Sequence, residues 1–167
     1  MSNHKSLGNF ELDTTWAVVN DDAGVITNKN SHVEGIKSIS FDKLNGTANT
    51  TKAIIESTIE SVDIRRFSQE ARIVSSIHVS ALTDIVDVFI RLGVDNTNYS
   101  QWTFLVADLT GGAIWELLSK KFYQVDWAVI GNGMNPASIT YIAVGVTFNS
   151  ETNTLTGIGW DNVNITT

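Results

Sequence analysis

DIVDVFIRLGVDNTNYSQWTF, residues 84–104, is the stretch on which the fold turns. In an extended chain Val86, Val88, Ile90 and Leu92 fall on one face, and Asp87, Phe89 and Arg91 on the other. A polar connection, Val94-Asp95-Asn96-Thr97-Asn98, leads into a second run in which Trp102 shares its face with Phe104 and Val106. Two alternating runs around a polar turn predict a β-hairpin with one face buried and Trp102 directed toward the core. Arg91, on the mixed face, is either a snorkelling side chain or part of a concave binding surface.

The flanks repeat this grammar. In SITYIAVGVTF, residues 138–148, Ile142, Val144, Val146 and Phe148 form one row. Ile139, Tyr141, Ala143 and Gly145 form a second, partly apolar row, as expected of a central strand. Abundant Val, Ile and Thr suit a pleated sheet, and abundant Asn and Ser suit its turns. Strands are expected near 6–12, 15–20, 24–29, 37–43, 51–60, 70–80, 84–94, 100–109, 113–123, 138–149 and 155–165, a spacing that predicts an antiparallel sandwich or barrel. The segment 113–127 also carries roughly helical spacing at Ile114, Leu117, Leu118, Lys121 and Phe122, so a helix is the alternative there. The one proline, Pro136, lies in a turn marked by Gly131 and Gly133 and interrupts no strand. No repeat, linker or charge block divides the 167 residues, so a single all-β domain spanning 1–167, an antiparallel β-sandwich closed as a jelly roll, is expected.

Charge and composition narrow the function. A net charge of -7 without a Lys/Arg cluster argues against nucleic acid as a partner, and the longest uncharged apolar run is far below the ~20 residues of a membrane span. The lack of cysteine excludes disulfides and thiolate metal sites. His4, His32 and His78 are scattered and carry neither a zinc-protease spacing nor a nucleophile elbow. Carboxylates are numerous, but the closely spaced Glu-x-Asp-x-x-Glu strand used by jelly-roll glycosidases is missing, and glycoside hydrolysis requires two acids at a set separation, so no enzyme is expected. His32 and Glu34 would share a face if HVEG were a strand, a weak metal pair. Gly111-Gly112 reads as a turn, and KLNGTANTT, 43–51, as an exposed loop. Sugar recognition would require an exposed ring with polar neighbours. The candidates are Arg91, Asp95, Tyr99 and Trp102, with Trp115 and Trp127 outside the group.

Several segments taken together carry a family resemblance: GNFELDTTW at the start, HVEGIKSISFDK, LGVDNTNYSQWTF, and IGWDNVNI at the end. They resemble a jelly-roll module of the carbohydrate-binding-module type, over most of the chain but through short motifs. In such modules a Phe-Glu pair opens the first strand, a Gly-x-x-Ser turn leads into an early strand, and an Asp precedes the last apolar strand. Here these are Phe10 and Glu11, Gly35 to Ser38, and Asp161. The resemblance implies a structural Ca²⁺ held by the carboxylates of Glu11 and Asp161 with backbone carbonyls at Asn9 and Lys37, consistent with the all-oxygen ligands this ion takes. The alternative is that Glu11 and Asp161 are solvated ends of edge strands. Similar modules occur in virions of tailed bacteriophages, as capsid decorations, baseplate parts or tail adhesins. A small Met-initiated chain with no apolar leader is similar to those, which implies a non-catalytic virion structural protein whose partners are other virion proteins or copies of itself. The rival expectation is a module that binds cell-wall or surface glycan.

Overall fold

The computed structural model describes residues 4–123 and 128–167. Its strands are β1 (His4–Ser6), β2 (Ala17–Val18), β3 (Thr27–Lys29), β4 (Ser38–Lys43), β5 (Lys52–Val62), β6 (Arg72–His78), β7 (Ile85–Asp95), β8 (Asn98–Leu105), β9 (Trp115–Lys121), β10 (Ala128–Ile130), β11 (Ile139–Phe148) and β12 (Leu155–Thr166). They form two sheets, ordered β3-β4-β12-β6-β9 and β10-β8-β7-β11-β5-β2, with every pairing antiparallel. β4 flanks the first half of β12, and β1 takes that place along its last residues. The result is an all-β sandwich. Among the described residues no helix is long and apolar enough to cross a membrane.

The core lies between the sheets. Val88, Ile90 and Leu92 of β7 and Ile142, Val144, Val146 and Phe148 of β11 pack in one cluster with Ile39, Phe41, Ile77, Ile158 and Trp160 of the facing sheet. Alternation predicts these rows, and two β-bulges account for the places where it fails. The β7–β11 register shifts between Thr147 and Phe148, so Ile85 turns inward and Val86 is 42% exposed. The β11–β5 register shifts between Ile139 and Tyr141, which moves Ile139 out of the Tyr141 row and into the core.

Other expectations are corrected by position. Residues 6–12 are not a strand. β1 ends at Ser6, and Phe10 and Glu11 lie in the connection to a 3₁₀ turn at Asp13–Thr15, so the Phe-Glu pair follows the first strand instead of opening it. Residues 115–121 are a strand and not a helix, because pairing with β6 buries Leu118 while leaving Leu117 72% exposed. HVEG lies in a loop, so His32 and Glu34 do not share a strand face; the His32 ring lies 2.6 Å from the Asn30 carbonyl instead. The strand β10 has no counterpart among the expected ones.

The exposed loop 44–50 is held from beneath. Asp21 accepts hydrogen bonds from the backbone N–H groups of Thr47 and Ala48 and from the Thr47 hydroxyl, and Asp22 from those of Gly46 and Thr50. Asp22 and Lys43 are both fully buried and 3.7 Å apart, and the Lys43 ammonium also donates to the carbonyls of Leu44 and Glu151. A buried charge is tolerated only when paired and hydrogen-bonded, which both of these are.

Candidate functional site

The outward face of the β11 sheet carries a second, smaller apolar cluster: Ile54, Phe89, Tyr99, Tyr141 and Ala143. Each alternates with a core residue on its strand, so the set faces away from the partner sheet. Gly145 makes room for it, since a Cβ there would stand 2.4 Å from the Phe89 ring. Arg91 lies over this cluster, its guanidinium carbon 4.7 Å from the Phe89 centroid and 4.6 Å from that of Tyr99, and its Nε donates to Gln101 Oε1 at 2.8 Å. Cation–π contact and burial of the aliphatic stem together hold it there.

Tyr99 and Tyr141 rings are 6.2 Å apart, and the Tyr141 hydroxyl donates to Glu56 Oε2 at 3.0 Å. Burial, then the adjacent Glu56 charge and its hydrogen bond, push the Tyr141 hydroxyl well above the ordinary tyrosine range. It stays protonated and keeps Glu56 oriented. Beside this pair opens a depression of about 570 Å³, lined by Tyr141, Glu56, Thr58 and Thr15, with Asp95 and Asn96 from the hairpin tip. Asp95 accepts hydrogen bonds from the Thr97 hydroxyl, the Thr97 and Asn98 backbone and the Asn98 amide; those from Thr97 contribute most to lowering its pKa.

Of the sugar-site residues expected from sequence, Arg91 and Tyr99 touch, and Asp95 lines the neighbouring depression. Trp102 faces the core, as alternation predicts, and is corrected only as a sugar-site candidate. It is 1% exposed on the opposite face of β8, where its indole N–H donates to the Phe122 carbonyl and its ring stacks on Phe122 at 4.9 Å. Strand alternation separates it from Arg91 and Tyr99 by the thickness of the sheet. Trp127 lies outside the described residues. Tyr141, Glu56, Thr58 and Asn96 were missed as site residues. Their only sequence signal was the partly apolar second row of the central strand and the Ile54-Glu56-Thr58 alternation opposite it.

At the other expected site the turn after β3 meets both chain ends. Glu11 accepts the backbone N–H groups of Ile36 and Lys37, both at 2.9 Å. Asp161, only 2% exposed, accepts those of Val33 at 2.5 Å and Glu34 at 2.8 Å. Gly35, at φ +76°, is required here, because a Cβ would lie 1.7 Å from Glu11 Oε1. Glu11, Glu34 and Asp161 line a cleft of about 400 Å³ with Asn9 and Asn162, and among the described residues no lysine or arginine lines it. An all-oxygen donor set fits a hard cation such as Ca²⁺. The buried Asn164 Oδ1, which accepts no hydrogen bond among the described residues while its amide donates to Glu34, adds an acceptor beside that set. Among the described residues no three acidic or histidine side chains form a metal cluster by themselves, so carbonyls or water would complete the shell. The Asn9 carbonyl accepts the Trp16 indole N–H at 2.7 Å, while the single Thr15 hydroxyl proton, 3.3 Å from it, is directed to the nearer Leu12 carbonyl at 2.8 Å, so Asn9 keeps one lone pair for a further contact.

The chain matches no family model, and no curated protein matches it in sequence. Solved structures do share its fold. It is similar to the family 11 carbohydrate-binding module from Clostridium thermocellum in complex with a β-1,3-1,4-mixed-linked tetrasaccharide, at TM-score 0.60 and 13% identity over 97% of this chain and 94% of that one. A family 28 module specific for non-crystalline cellulose aligns at TM-score 0.54 and 10% identity over 95% and 91% of the two chains. An exo-β-agarase aligns at TM-score 0.58 and 10% identity, this chain covering 24% of the enzyme's length. The fold is therefore the β-sandwich of carbohydrate-binding modules, a jelly roll.

Proposed function

We propose that this protein is a non-catalytic glycan-binding module that holds a carbohydrate chain on the outward face of the β11 sheet. The observation that carries the reading is the depression of about 570 Å³ at Tyr141 and Glu56, closed on one side by Asp95 and Asn96 of the hairpin tip. Carboxylate, amide and hydroxyl groups there match sugar hydroxyls, and the Tyr141 ring offers an apolar edge beside them. The fold shared with carbohydrate-binding modules supports the same reading, which is the expected alternative and not the virion role first inferred from the resemblance. That role draws on no feature of the folded chain, and co-purification with a particle is the observation that would restore it.

The test is a glycan array followed by calorimetry, with the mixed-linked β-1,3-1,4 tetrasaccharide as first probe. Tyr141→Ala and Glu56→Gln should each weaken binding about tenfold or more. Trp102→Phe, in the core, should leave affinity unchanged. Absence of binding to any glycan, or affinity indifferent to both site variants, would remove the proposal.

The acidic cleft at Glu11, Glu34 and Asp161 is proposed to hold Ca²⁺ as a structural ion, with Lys37 as a backbone candidate. Binding to the folded chain alone stabilises it, by ~2.7 kcal/mol at a hundredfold excess over Kd. Chelation should then lower the melting temperature by several degrees. An unchanged midpoint, with no calcium found by elemental analysis, contradicts it.

A further inference from the structure

The other outward face, on the β12 sheet, holds an aromatic platform. One cross-strand row runs Thr27, Ser40, Gly159, His78, Trp115, each directly opposite the next. From the edge strand β9 the Trp115 indole reaches back across the row, and a Cβ on Gly159 would stand 3.2 Å from its Cη2. Its N–H donates to the Ser31 hydroxyl at 2.9 Å, and the His78 ring sits beside it at 5.5 Å, so the indole is pinned in place. Trp16, Trp102 and Trp160 are buried, which leaves Trp115, half-buried, the one described tryptophan that is not. The hollow beside it, about 290 Å³, is lined by Gly157, Gly159, the buried Ser40, His78 and Asn30, with the exposed Lys29 at its rim. That volume lies at the lower edge of the ~300–1,000 Å³ typical of ligand pockets and suits one ring.

Two observations define the occupant. Ser40 is 97% buried by exposure of 3%, its hydroxyl makes no hydrogen bond among the described residues, and it lines the hollow. Among the described residues the ionisable groups lining it are Lys29 and His78, and the Asp42 carboxylate stands next to it, accepting the Gly157 N–H at 2.8 Å. A hydroxyl open to the hollow, a flat aromatic face and the Lys29 ammonium together suit a ring with an apolar face, hydroxyls and a negative charge.

We propose that this hollow is a second binding site, for a hexuronate residue: the pyranose stacks on Trp115, a ring hydroxyl meets Ser40, and the carboxylate meets Lys29. The site is separate from the Tyr141 depression and shares with that reading only the premise that the protein binds sugar. The intact chain is titrated by calorimetry and tryptophan fluorescence with trisaccharides of galacturonate, glucuronate and mannuronate, each beside its neutral hexose counterpart. At least one uronate should bind about tenfold more tightly than its counterpart. Trp115→Ala and Lys29→Gln should each reduce that affinity about tenfold, and the Lys29 change should abolish the preference over the neutral sugar. Lys29 is exposed, so its variant folds even if removal of Trp115 disturbs β9; melting curves separate the two effects. Tyr141→Ala should leave uronate binding intact, which keeps the two sites' fates distinct: loss of neutral-glycan binding alone bears on the first site only. The proposal is overturned if none of the three uronates binds, if neutral and acidic forms bind equally, or if uronate affinity survives the Lys29 change.

Discussion

Both sheets place a glycine on their central outward face and lay an aromatic ring over it, yet the two rings end in opposite states. On the β11 sheet Gly145 pairs directly with Phe89, and the ring is fully buried under Arg91, with Lys52 5.8 Å from its centroid. On the β12 sheet the ring over Gly159 comes from Trp115, two strands away, with no cation stacked on it among the described residues. The first face uses its cation to seal an aromatic; the second keeps its basic group, Lys29, at the rim. A glycine in a strand centre therefore does not by itself announce a binding surface. What matters is whether the side chain that fills its space is itself covered.

The comparison is broken most severely by adding a methyl group at each glycine. Gly145→Ala would bring Cβ to 2.4 Å from the Phe89 ring and 2.8 Å from the Ala53 carbonyl, and the backbone atom cannot yield. The expected loss is about 3 kcal/mol in urea unfolding. Gly159→Ala meets only side-chain atoms, at 3.2 Å, and should cost less than about 1 kcal/mol while tilting Trp115, visible as a shift in emission.

Arg91→Ala tests the seal itself. It removes two cation–π contacts and the hydrogen bond to Gln101, with an expected loss of about 1–2 kcal/mol. It should also make the β11 face resemble the other, with Phe89 newly accessible and raised binding of a hydrophobic dye. Unchanged stability and dye binding would show that Arg91 rests on the cluster without holding it.

The smallest expected effects come from pH. The Asp95 carboxyl is held below its ordinary range by its hydrogen bonds to Thr97, so its contribution is present above about pH 4 and fades as pH falls through its depressed value. The melting temperature of the wild type should therefore fall more steeply below pH 4 than that of Asp95→Asn. Tyr141 has the opposite sign: its pKa is raised, so its contribution is present below pH 10 and lost on further alkalisation. Tyr141→Phe should flatten that alkaline limb.

The rows of β7 and β11 were legible in sequence because a period of two survives in the residues themselves, and the hairpin at Asp95 to Asn98 followed from its polar tip. Glu11, Asp161 and Gly35 were legible only through a resemblance, since nothing local shows that residues 11, 33–37 and 161 meet. The bulges at Val86 and Ile139 were hidden, because a register shift is decided by the partner strand. Trp102 entered the sugar-site candidates on proximity in sequence to Arg91 and Tyr99, which in a strand places it on the wrong face half the time.

By itself, then, the order of residues determined an all-β sandwich, its central strands and the direction of Trp102, because alternation is a local property of an extended chain. Only the tertiary structure decided which outward residues became surface. Phe89 and Trp115 are both aromatic residues on outward strand positions, but β7 lies inside its sheet and β9 at an edge, so the neighbours that cover Phe89 and leave Trp115 part-exposed are set by strand order, which long-range packing alone decides.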